Sequence, residues 1–379
     1  MDNGIHKARD IRLSKASLTE AESAGLQRPL ARAFLGMGTE VQAFEDELAA
    51  YLGRPVACVV NGTAALQLAV QACGLGPGDE VLVPSLTYVA SFQAIAATGA
   101  EPVACDIVED SCTLDVADAA RRLTPRTKAI MPVHYAGGVG TLAQVYAFAK
   151  SHGLRVIEDA AHAFGSVHKG IPVGGRGDVA CFSFDGVKNI TSGEGGCVVT
   201  DDTEVLRRVR DARLLGVEND TSARFEGRRS WDFDVRAQGW RYHMSDIMAA
   251  LGRVQLGRRA ELADRRQALA RDYLARLAGQ QRITPVLASV DGVIPHIFPV
   301  RIADMADRNA LRRTLREAGI ETGVHYRPNH TLTYFARPGA LPLPVTDRVY
   351  TELLTLPLHP DLTEDDVDYV CTRLLAALD

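Results

Sequence analysis

The sequence lacks the features of several large protein classes. No apolar run approaches the roughly 20 residues that a membrane-spanning helix requires. The seven cysteines are an odd number and include no C-x-x-C pair, which argues against a disulfide framework and against a zinc cluster. The formal net charge of −5 gives no overall positive field to hold nucleic acid. We therefore expect no membrane, nucleic acid or metal partner.

Two nucleotide-binding motifs and a targeting segment are also missing. The chain contains no G-x-x-x-x-G-K-[ST] sequence and no G-x-G-x-x-G after a strand, so neither a P-loop nor a dinucleotide-binding pattern is supported. Residues 1–7 lack the apolar core of a signal peptide. Cys58, Cys73 and Cys181 lie in apolar runs and are expected to be buried, reduced thiols. We therefore expect a cytoplasmic protein.

The order of the predicted elements indicates an α/β fold. At 379 residues the chain exceeds one typical core, which predicts one large and one smaller domain. Strands are predicted at residues 56–60, 80–84, 127–132, 155–158 and 180–184, and helices at residues 64–73 and 142–152. Strands that alternate with helices predict a mostly parallel sheet covered on both faces.

The pattern changes after about residue 245. Later elements are predicted as a long amphipathic helix at residues 245–277, an apolar run at 294–302, and helices at 308–318 and 364–378. They predict a smaller C-terminal α+β domain hinged on the long helix. We place the large domain, with an N-terminal arm, at residues 1–250 and the smaller domain at 251–379. The arginines of residues 253–276 are interleaved with acids, as is typical of a solvated helix face.

Lys188 lies in an unusual setting for a lysine. The segment C-F-S-F-D-G-V-K-N-I-T-S-G-E-G-G, residues 181–196, places it after an apolar run and before a glycine cluster. The run predicts a buried strand, and the glycines predict a turn that packs closely around a ligand. An amine held there can form a Schiff base with a carbonyl. A solvated surface charge is the alternative for a lone lysine.

A possible anion site lies at N-G-T-A-A, residues 61–65, between a predicted strand and a predicted helix. Gly62 allows close backbone approach, the free N–H groups of the helix start point at an anion, and the Thr63 hydroxyl adds a donor. The alternative is an Asn-Gly turn with a threonine cap, which carries no ligand.

Three more side chains follow predicted strands. Asp159 stands at a strand end, where open α/β sheets place their ligands, and it can hold a protonated ring nitrogen. His162 follows it and can contact the same ring. Tyr88 follows another strand and can stack on a planar ring. The alternatives are a helix cap for Asp159, a core histidine for His162 and a core aromatic for Tyr88.

Together these residues supply what pyridoxal 5′-phosphate (PLP) requires: an anion site, an aromatic face, a carboxylate for the ring nitrogen and a reactive lysine. The carboxylate keeps the pyridinium protonated, so that the ring draws electrons from the bond being broken. The lysine attaches the cofactor and, once displaced, moves the proton. The sequence therefore predicts a PLP enzyme.

The chain resembles the DegT/DnrJ/EryC1/StrS family of sugar aminotransferases, a branch of the fold-type I PLP enzymes. The resemblance covers nearly the whole chain. Besides the residue 181–196 segment, it rests on residues 38–45 (GTEVQAFE), 61–66 (NGTAAL), 83–90 (VPSLTYVA), 132–137 (PVHYAG), 158–163 (EDAAHA), 239–250 (GWRYHMSDIMAA), 323–326 (GVHY) and 356–359 (LPLH).

The resemblance implies a role for each site residue. Lys188 would carry the cofactor, Asp159 would pair with the pyridine nitrogen, His162 would lie near the phenolic edge of the ring, and Tyr88 would stack on its face. The phosphate would be held by Gly62, Thr63 and Ser183 and, across the interface of a homodimer, by His243. Substrate contacts would come from Glu194, His325 and Tyr326.

The resemblance also implies a substrate class. The residue 191–196 and 134–137 motifs are similar to those of members that aminate C4 of a keto-sugar. We expect amination of a nucleotide-linked 4-keto-6-deoxyhexose, with L-glutamate as the amino donor. The alternatives are a 3-keto-sugar or a keto-cyclitol of secondary metabolism, and a PLP-binding regulator without turnover. Arg224 to Arg229 are predicted to help hold the diphosphate, or else to lie in a solvated loop.

Overall fold

The computed structural model describes residues 9–218, 220–228 and 231–378. Residues 1–7, where no signal peptide is predicted, lie outside that range. Among the described residues, no helix has the length and apolar character needed to cross a membrane.

A mixed, mostly parallel sheet forms the centre of the fold. The described strands are β1 (Val56–Val59), β2 (Glu80–Pro84), β3 (Glu101–Cys105), β4 (Thr127–Ile130), β5 (Arg155–Asp159), β6 (Val167–His168), β7 (Ile171–Pro172), β8 (Val179–Ser183), β9 (Gly196–Thr200), β10 (Ile283–Pro285), β11 (Phe298–Ile302) and β12 (Leu353–Leu356). Within the described residues, seven strands pair in the order β1-β9-β8-β5-β4-β2-β3. Only the pairings of β9 are antiparallel in this sheet. The predicted sheet is confirmed.

Helices cover the sheet and build the C-terminal part. In the described ranges they are α1 (Glu20–Arg32), α2 (Thr39–Leu52), α3 (Gly62–Ala72), α4 (Val89–Ala96), α5 (Val116–Arg121), α6 (Leu142–His152), α7 (Thr203–Ala212), α8 (Asp220–Phe225), α9 (Asp246–Gly257), α10 (Arg259–Arg276), α11 (Arg308–Glu317), α12 (Pro344–Glu352) and α13 (Glu364–Ala376). Single 3-10 turns occur at Tyr135–Gly137 and Asn329–Thr331.

Strand β1 shows why both faces of the sheet need cover. Its side chains alternate, so that Ala57 and Val59 enter one apolar cluster while Val56 and Cys58 enter another on the opposite face. Helices α3, α4 and α7 supply the first cluster, and α2 and α9 supply the second. Every strand residue here is buried, as expected of a sheet with helices on both sides.

A second, antiparallel sheet lies in the C-terminal part. Strands β10, β11 and β12 pair in that order. Tyr273 of α10 stacks on Phe298 of β11 with ring centroids 4.7 Å apart, and α13 adds Leu374 to the same apolar cluster. The N-terminal segment reaches this part too, since the Ile11 N–H donates to the Gly319 carbonyl at 2.8 Å. The division of the chain at residue 250 stays a prediction.

The prediction of one long helix over residues 245–277 is wrong. The structure has two helices, α9 and α10, because Arg258 between them has φ −90° and ψ 2°, away from helical values. The Arg258 side chain turns back to donate to the Glu22 carboxylate at 2.6 Å. This contact joins the break between the two helices to a residue 236 positions earlier in the chain.

Two smaller expectations are also corrected. Cys58 and Cys181 are buried free thiols, as predicted, but Cys73 is only half-buried because it follows the last residue of α3. The arginines of residues 253–276 do not all lie on a solvated face: Arg266 is 1% exposed. Its neighbours on α10 include Leu262, Leu269 and Ala270, which are also buried, so Arg266 lies on the packed side of the helix.

Candidate active site

A cavity of about 400 Å³ opens where β5 and β8 end and α3 begins. Among the described residues, its lining includes ten of the residues singled out in the sequence: Gly62, Thr63, Tyr88, Asp159, His162, Ser183, Lys188, Glu194, His325 and Tyr326. These residues come from segments up to 264 positions apart in the chain. The carboxyl ends of parallel strands are where α/β sheets place their ligands.

One end of the cavity is shaped to receive an anion. Helix α3 begins at Gly62, and the Asn61 side chain caps it by accepting from the Ala64 N–H at 2.8 Å. The Gly62 and Thr63 N–H groups belong to the unpaired first turn, which carries a partial positive charge. A side chain on Gly62 would place Cβ 2.7 Å from Ser183 Cβ, closer than such atoms approach. Gly62 is therefore required for this close approach.

Asp159 is the last residue of β5, and Ser91 holds its carboxylate. The Ser91 hydroxyl donates to Asp159 Oδ2 at 2.7 Å, and the Ala161 N–H donates to Oδ1 at 3.2 Å. The side chain is buried, with 5% of its surface exposed. A carboxylate fixed in this way can accept a hydrogen bond from a protonated ring nitrogen in the cavity.

The preceding residue, Glu158, faces the other side of the sheet. Its carboxylate lies 2.7 Å from His134 Nε2 and accepts from the Tyr146 hydroxyl at 2.6 Å. Side chains alternate along a strand, so these two adjacent carboxylates never meet. Within the described residues, Asp159 is therefore the β5 carboxylate that serves the cavity.

Lys188 lies in the loop after β8, with its amine inside the cavity. Burial lowers the pKa of the Lys188 amine to about 8, Asp159 and Asp185 oppose this shift, and Arg266 adds to it. The Lys188 Nζ atom lies 3.3 Å from His296 Nε2. A larger share of the amine is thus neutral near pH 8 than for an exposed lysine, and the neutral amine is the nucleophilic form.

Aromatic rings surround the space in front of Lys188. Tyr326 places its hydroxyl 2.9 Å from His162 Nε2, and the His162 and His296 ring centroids are 4.5 Å apart. Burial lowers the pKa of His162 and of His296, and the Lys188 charge lowers both further, so both rings are neutral at pH 7. Burial likewise raises the pKa of the Tyr326 phenol.

Exposed residues mark the mouth of the cavity. Tyr88 is 57% exposed, and its ring centroid lies 5.5 Å from that of Tyr326. Glu194 is also exposed at the surface, but partial loss of solvent around its carboxyl group raises its pKa, and the Asp185 charge raises it further. His325 is half-buried with Nδ1 2.9 Å from the Thr355 hydroxyl, and burial lowers its pKa to about 4.

The donor set fits a planar aromatic cofactor with an anionic tail. His162 Nδ1 is a buried polar atom without a partner among the described residues, as expected where a ligand supplies the missing contact. The anion end, the Asp159 carboxylate and the Lys188 amine all line the same cavity. These are the contacts required by the phosphate, ring nitrogen and aldehyde of PLP.

Comparison with known proteins gives the family. The model of the DegT/DnrJ/EryC1/StrS aminotransferase family matches residues 16–375. The chain belongs to this family. The resemblance of the sequence motifs is thereby confirmed over nearly the whole chain, and pyridoxal 5′-phosphate is the cofactor of this aminotransferase.

Solved structures of similar proteins agree with the fold of this DegT/DnrJ/EryC1/StrS family member. The aminotransferase TlmJ from Streptoalloteichus hindustanus shares 34% identity and a TM-score of 0.90, with 97% of this chain and 98% of that chain covered. Spr1654 from Streptococcus pneumoniae, a candidate sugar aminotransferase solved in its PMP form, is 31% identical with a TM-score of 0.90, and the match covers 97% of this chain and 99% of Spr1654. DesI, solved in the presence of its TDP-sugar product, is 30% identical with a TM-score of 0.87, and the match covers 97% of this chain and 93% of DesI. The predicted fold-type I architecture is confirmed.

Some predicted residues lie away from the cavity of this aminotransferase chain. His243 forms a bridge with Val59 and is not among the described residues that line the cavity. Arg224 donates to Asp220 at 2.7 Å, and Arg228 pairs with Glu226. Neither arginine is among the described lining residues, and Arg229 lies outside the described range. Their roles stay predictions.

The sequence analysis did not single out three residues at the cavity. His296 and Asp185 line the cavity, and Ser91 holds Asp159. His296 was visible as a single histidine inside the apolar run of residues 294–302, which we interpreted only as an element of the smaller C-terminal domain. Ser91 lies three residues after Tyr88, on the first turn of α4, and gave no separate signal.

Alanine at position 62 should weaken cofactor binding. Gly62→Ala forces α3 away from Ser183 and removes contacts to the phosphate, each worth about 1.5–3 kcal/mol when the partner is charged. We expect the PLP dissociation constant, measured by absorbance titration, to rise about tenfold or more. Gly36→Ala is the matched control, because its Cβ meets no atom within 4 Å. Equal affinity for Gly62→Ala and the wild type would contradict a phosphate site here.

The Lys188 amine should react at lower pH than an ordinary lysine. In the cofactor-free chain, labelling by a dilute amine-reactive ester should rise as the pH increases through about 8, where the amine loses its proton. The corresponding value for an unperturbed lysine is about 10.4. Mass spectrometry of the Lys188 peptide measures the midpoint, with the exposed Lys150 as an internal reference for the reagent. A midpoint at or above pH 10 would show that the cavity does not favour the neutral amine.

Proposed function

We propose that this aminotransferase converts a nucleotide-linked 4-keto-6-deoxyhexose to the 4-amino sugar, with L-glutamate as the amino donor. The observation that carries the proposal is the convergence of Lys188, Asp159 and the α3 anion site on one cavity. A ping-pong cycle follows from a single site: glutamate leaves as 2-oxoglutarate after giving up its amino group, and the keto-sugar then receives it.

Each residue has a proposed role toward the cofactor. The Gly62 and Thr63 N–H groups and the Ser183 hydroxyl would hold the phosphate, and Asp159, oriented by Ser91, would accept a hydrogen bond from the protonated ring nitrogen. His162 would lie near the phenolic edge, and Tyr88 would stack on the ring face. When bound, PLP supplies an electron-withdrawing ring that stabilises negative charge at the α-carbon of the donor.

Lys188 is the proposed proton carrier. Its amine would hold the cofactor between turnovers. In the donor half-reaction the free Nζ would move a proton from the donor α-carbon to the cofactor carbon that takes up the nitrogen, and in the sugar half-reaction it would move a proton from that carbon to the sugar carbon that bears the new amine. A pKa of about 8 suits both the uptake and the release of a proton by the amine near neutral pH. His296 lies 3.3 Å from the amine but is neutral, so it places no positive charge beside the lysine.

The sugar-nucleotide assignment has two supports. DesI, 30% identical to this chain, has been solved with its TDP-sugar product, and Spr1654 is described as a candidate sugar aminotransferase. The mouth of the cavity also offers polar groups suited to sugar hydroxyls, from Glu194, His325 and Tyr326. Amination at C4 rests on the motifs of residues 191–196 and 134–137.

A panel of keto substrates tests the function. The enzyme is first converted to its amine form with L-glutamate and then mixed with nucleotide-linked 4-keto and 3-keto 6-deoxyhexoses and with free keto-cyclitols. We expect the 4-keto sugar to return the cofactor spectrum to its aldehyde form and to yield a 4-amino product by mass spectrometry and NMR.

Two variants serve as controls for the panel. Lys188→Ala should lose the covalent cofactor bond and at least about a thousandfold in turnover, since one group carries both attachment and proton transfer. Lys150→Ala, at an exposed position, should retain full turnover. Full turnover by Lys188→Ala would refute the mechanism. Reaction with only a 3-keto sugar or a free keto-cyclitol would show that the proposed 4-keto substrate is wrong and would identify the correct class.

We also propose that the enzyme is a homodimer with shared sites, in which His243 of one subunit contacts the phosphate bound in the other. The segment before His243 exposes apolar side chains, with Trp231 90%, Phe233 55% and Val235 49% exposed. Apolar surface of this kind is typical of an interface. A cytoplasmic location stays a prediction.

Mixed dimers test the sharing of sites. Lys188→Ala and His243→Asp chains, each weakly active alone, are unfolded together and refolded as an equal mixture. If His243 acts across the interface, each hybrid dimer has one intact site, and activity should recover to about one quarter of the wild type. No recovery, with hybrids demonstrated by native mass spectrometry, would place His243 outside the site of the neighbouring subunit.

A further inference from the structure

Arg266 is a buried arginine that donates only to backbone carbonyls in the described structure. It lies on α10 and is 1% exposed. Nη1 donates to the carbonyls of His296 at 3.1 Å and Leu358 at 3.3 Å, with Pro295 at 3.5 Å, and Nη2 donates to that of Val187 at 3.4 Å. One side chain therefore joins α10 to three separate loops.

The charge of this arginine is not balanced by an acid. Within the described ranges no carboxylate pairs with Arg266, and its Nε has no partner. Burial alone lowers the pKa of the guanidinium to about 10. An uncompensated buried charge opposes folding, and an apolar side chain of similar volume would fill the space without that penalty. Packing by itself therefore does not account for an arginine here.

Two of the four carbonyls that Arg266 binds, those of Val187 and His296, belong to residues that line the Lys188 cavity. Val187 directly precedes Lys188, and His296 is the residue whose Nε2 lies 3.3 Å from Lys188 Nζ. The same guanidinium thus holds the backbone of both partners in the contact between Lys188 Nζ and His296 Nε2. Because α10 packs against the C-terminal sheet, this link also ties the reactive lysine to that part of the fold.

We propose that Arg266 is a positioning residue that holds Lys188 and His296 in place and, through its buried positive charge, favours the neutral, reactive form of the Lys188 amine. This rests on the proposed role of Lys188 as cofactor anchor and proton carrier. It adds a residue that acts at a distance and touches neither cofactor nor substrate.

The other charges that face Lys188 are consistent with this role. Asp159 and Asp185 favour the ammonium form. His162, His296 and His325 are neutral near pH 7 because their pKa values are lowered. Among the described charged groups that influence the pKa of the Lys188 amine, Arg266 is the cation that lowers it, against the two carboxylates that raise it. At an effective dielectric constant of about 20, a cation within about 12 Å of an amine changes the pKa of that amine by on the order of one unit.

The experiment is the pH dependence of Lys188 labelling in the full, cofactor-free chain. Arg266→Met removes the charge and keeps most of the volume, and we expect the labelling midpoint to rise by about one pH unit. Arg266→Lys retains a charge with fewer donors, and its midpoint should stay near that of the wild type. Arg265→Met is the matched control, since Arg265 lies beside it on α10 and also donates to carbonyls, those of Pro360 and Leu362.

The outcomes separate charge from packing. An unchanged midpoint in Arg266→Met, or an equal rise in Arg265→Met or Arg266→Lys, overturns the proposal. If Arg266→Met does not fold, Arg266→Gln decides in its place, because its amide keeps a donor for the carbonyls without the charge. The readout needs neither amino donor nor sugar, so a failed substrate panel with a shifted midpoint rejects the proposed substrate and leaves the role of Arg266 intact.

Discussion

The parallel pairing of β5 with β8 is the constraint on which the site depends. Asp159 is opposite Cys181 in this pairing, so both strands end at the same edge of the sheet. Ser183 ends β8 there and meets Gly62 at the start of α3. The chain then turns into the loop that carries Lys188. A carboxylate, an anion site and an amine therefore lie around one cavity because the strands that deliver them share a direction and a register.

The cavity achieves its chemistry largely by excluding water from ionisable groups. Burial is the largest contribution to the shifted pKa values of Lys188, His162 and Tyr326. Asp159, which also lies deep in the site, is held by donors from Ser91 and Ala161. The site thus combines a carboxylate stabilised by hydrogen bonds with an amine from which the proton is easily removed.

Local patterns predicted much of this site because its residues stand at the ends of strands. Asp159 and Lys188 could be recognised from an apolar run followed by an unusual polar residue, and Gly62 from a turn before a helix. His296 could not, since it lies 108 residues from Lys188 and its own segment reads as an apolar strand. Only tertiary packing brings the two side chains together.

The C-terminal half shows the same limit. The helical periodicity runs through Arg258 without interruption, and the break there coincides with a contact to Glu22, more than 200 residues earlier. Arg266 has the same sequence surroundings as the exposed arginines of α10, although it is buried. Charge patterns along one helix do not reveal which arginine faces the rest of the protein, because that depends on partners supplied by other segments.

The adjacent carboxylates of β5 limit how this protein can change. Glu158 belongs to a polar cluster with His134 and Tyr146 on one face, and Asp159 to the cofactor cavity on the other. Losing or gaining one residue within β5 would exchange the two faces, so that the carboxylate bound to His134 would turn toward the cofactor. The length of β5 is therefore constrained by the need to keep Asp159 on the cavity side. Insertions and deletions are expected instead in the loops beyond both of its ends.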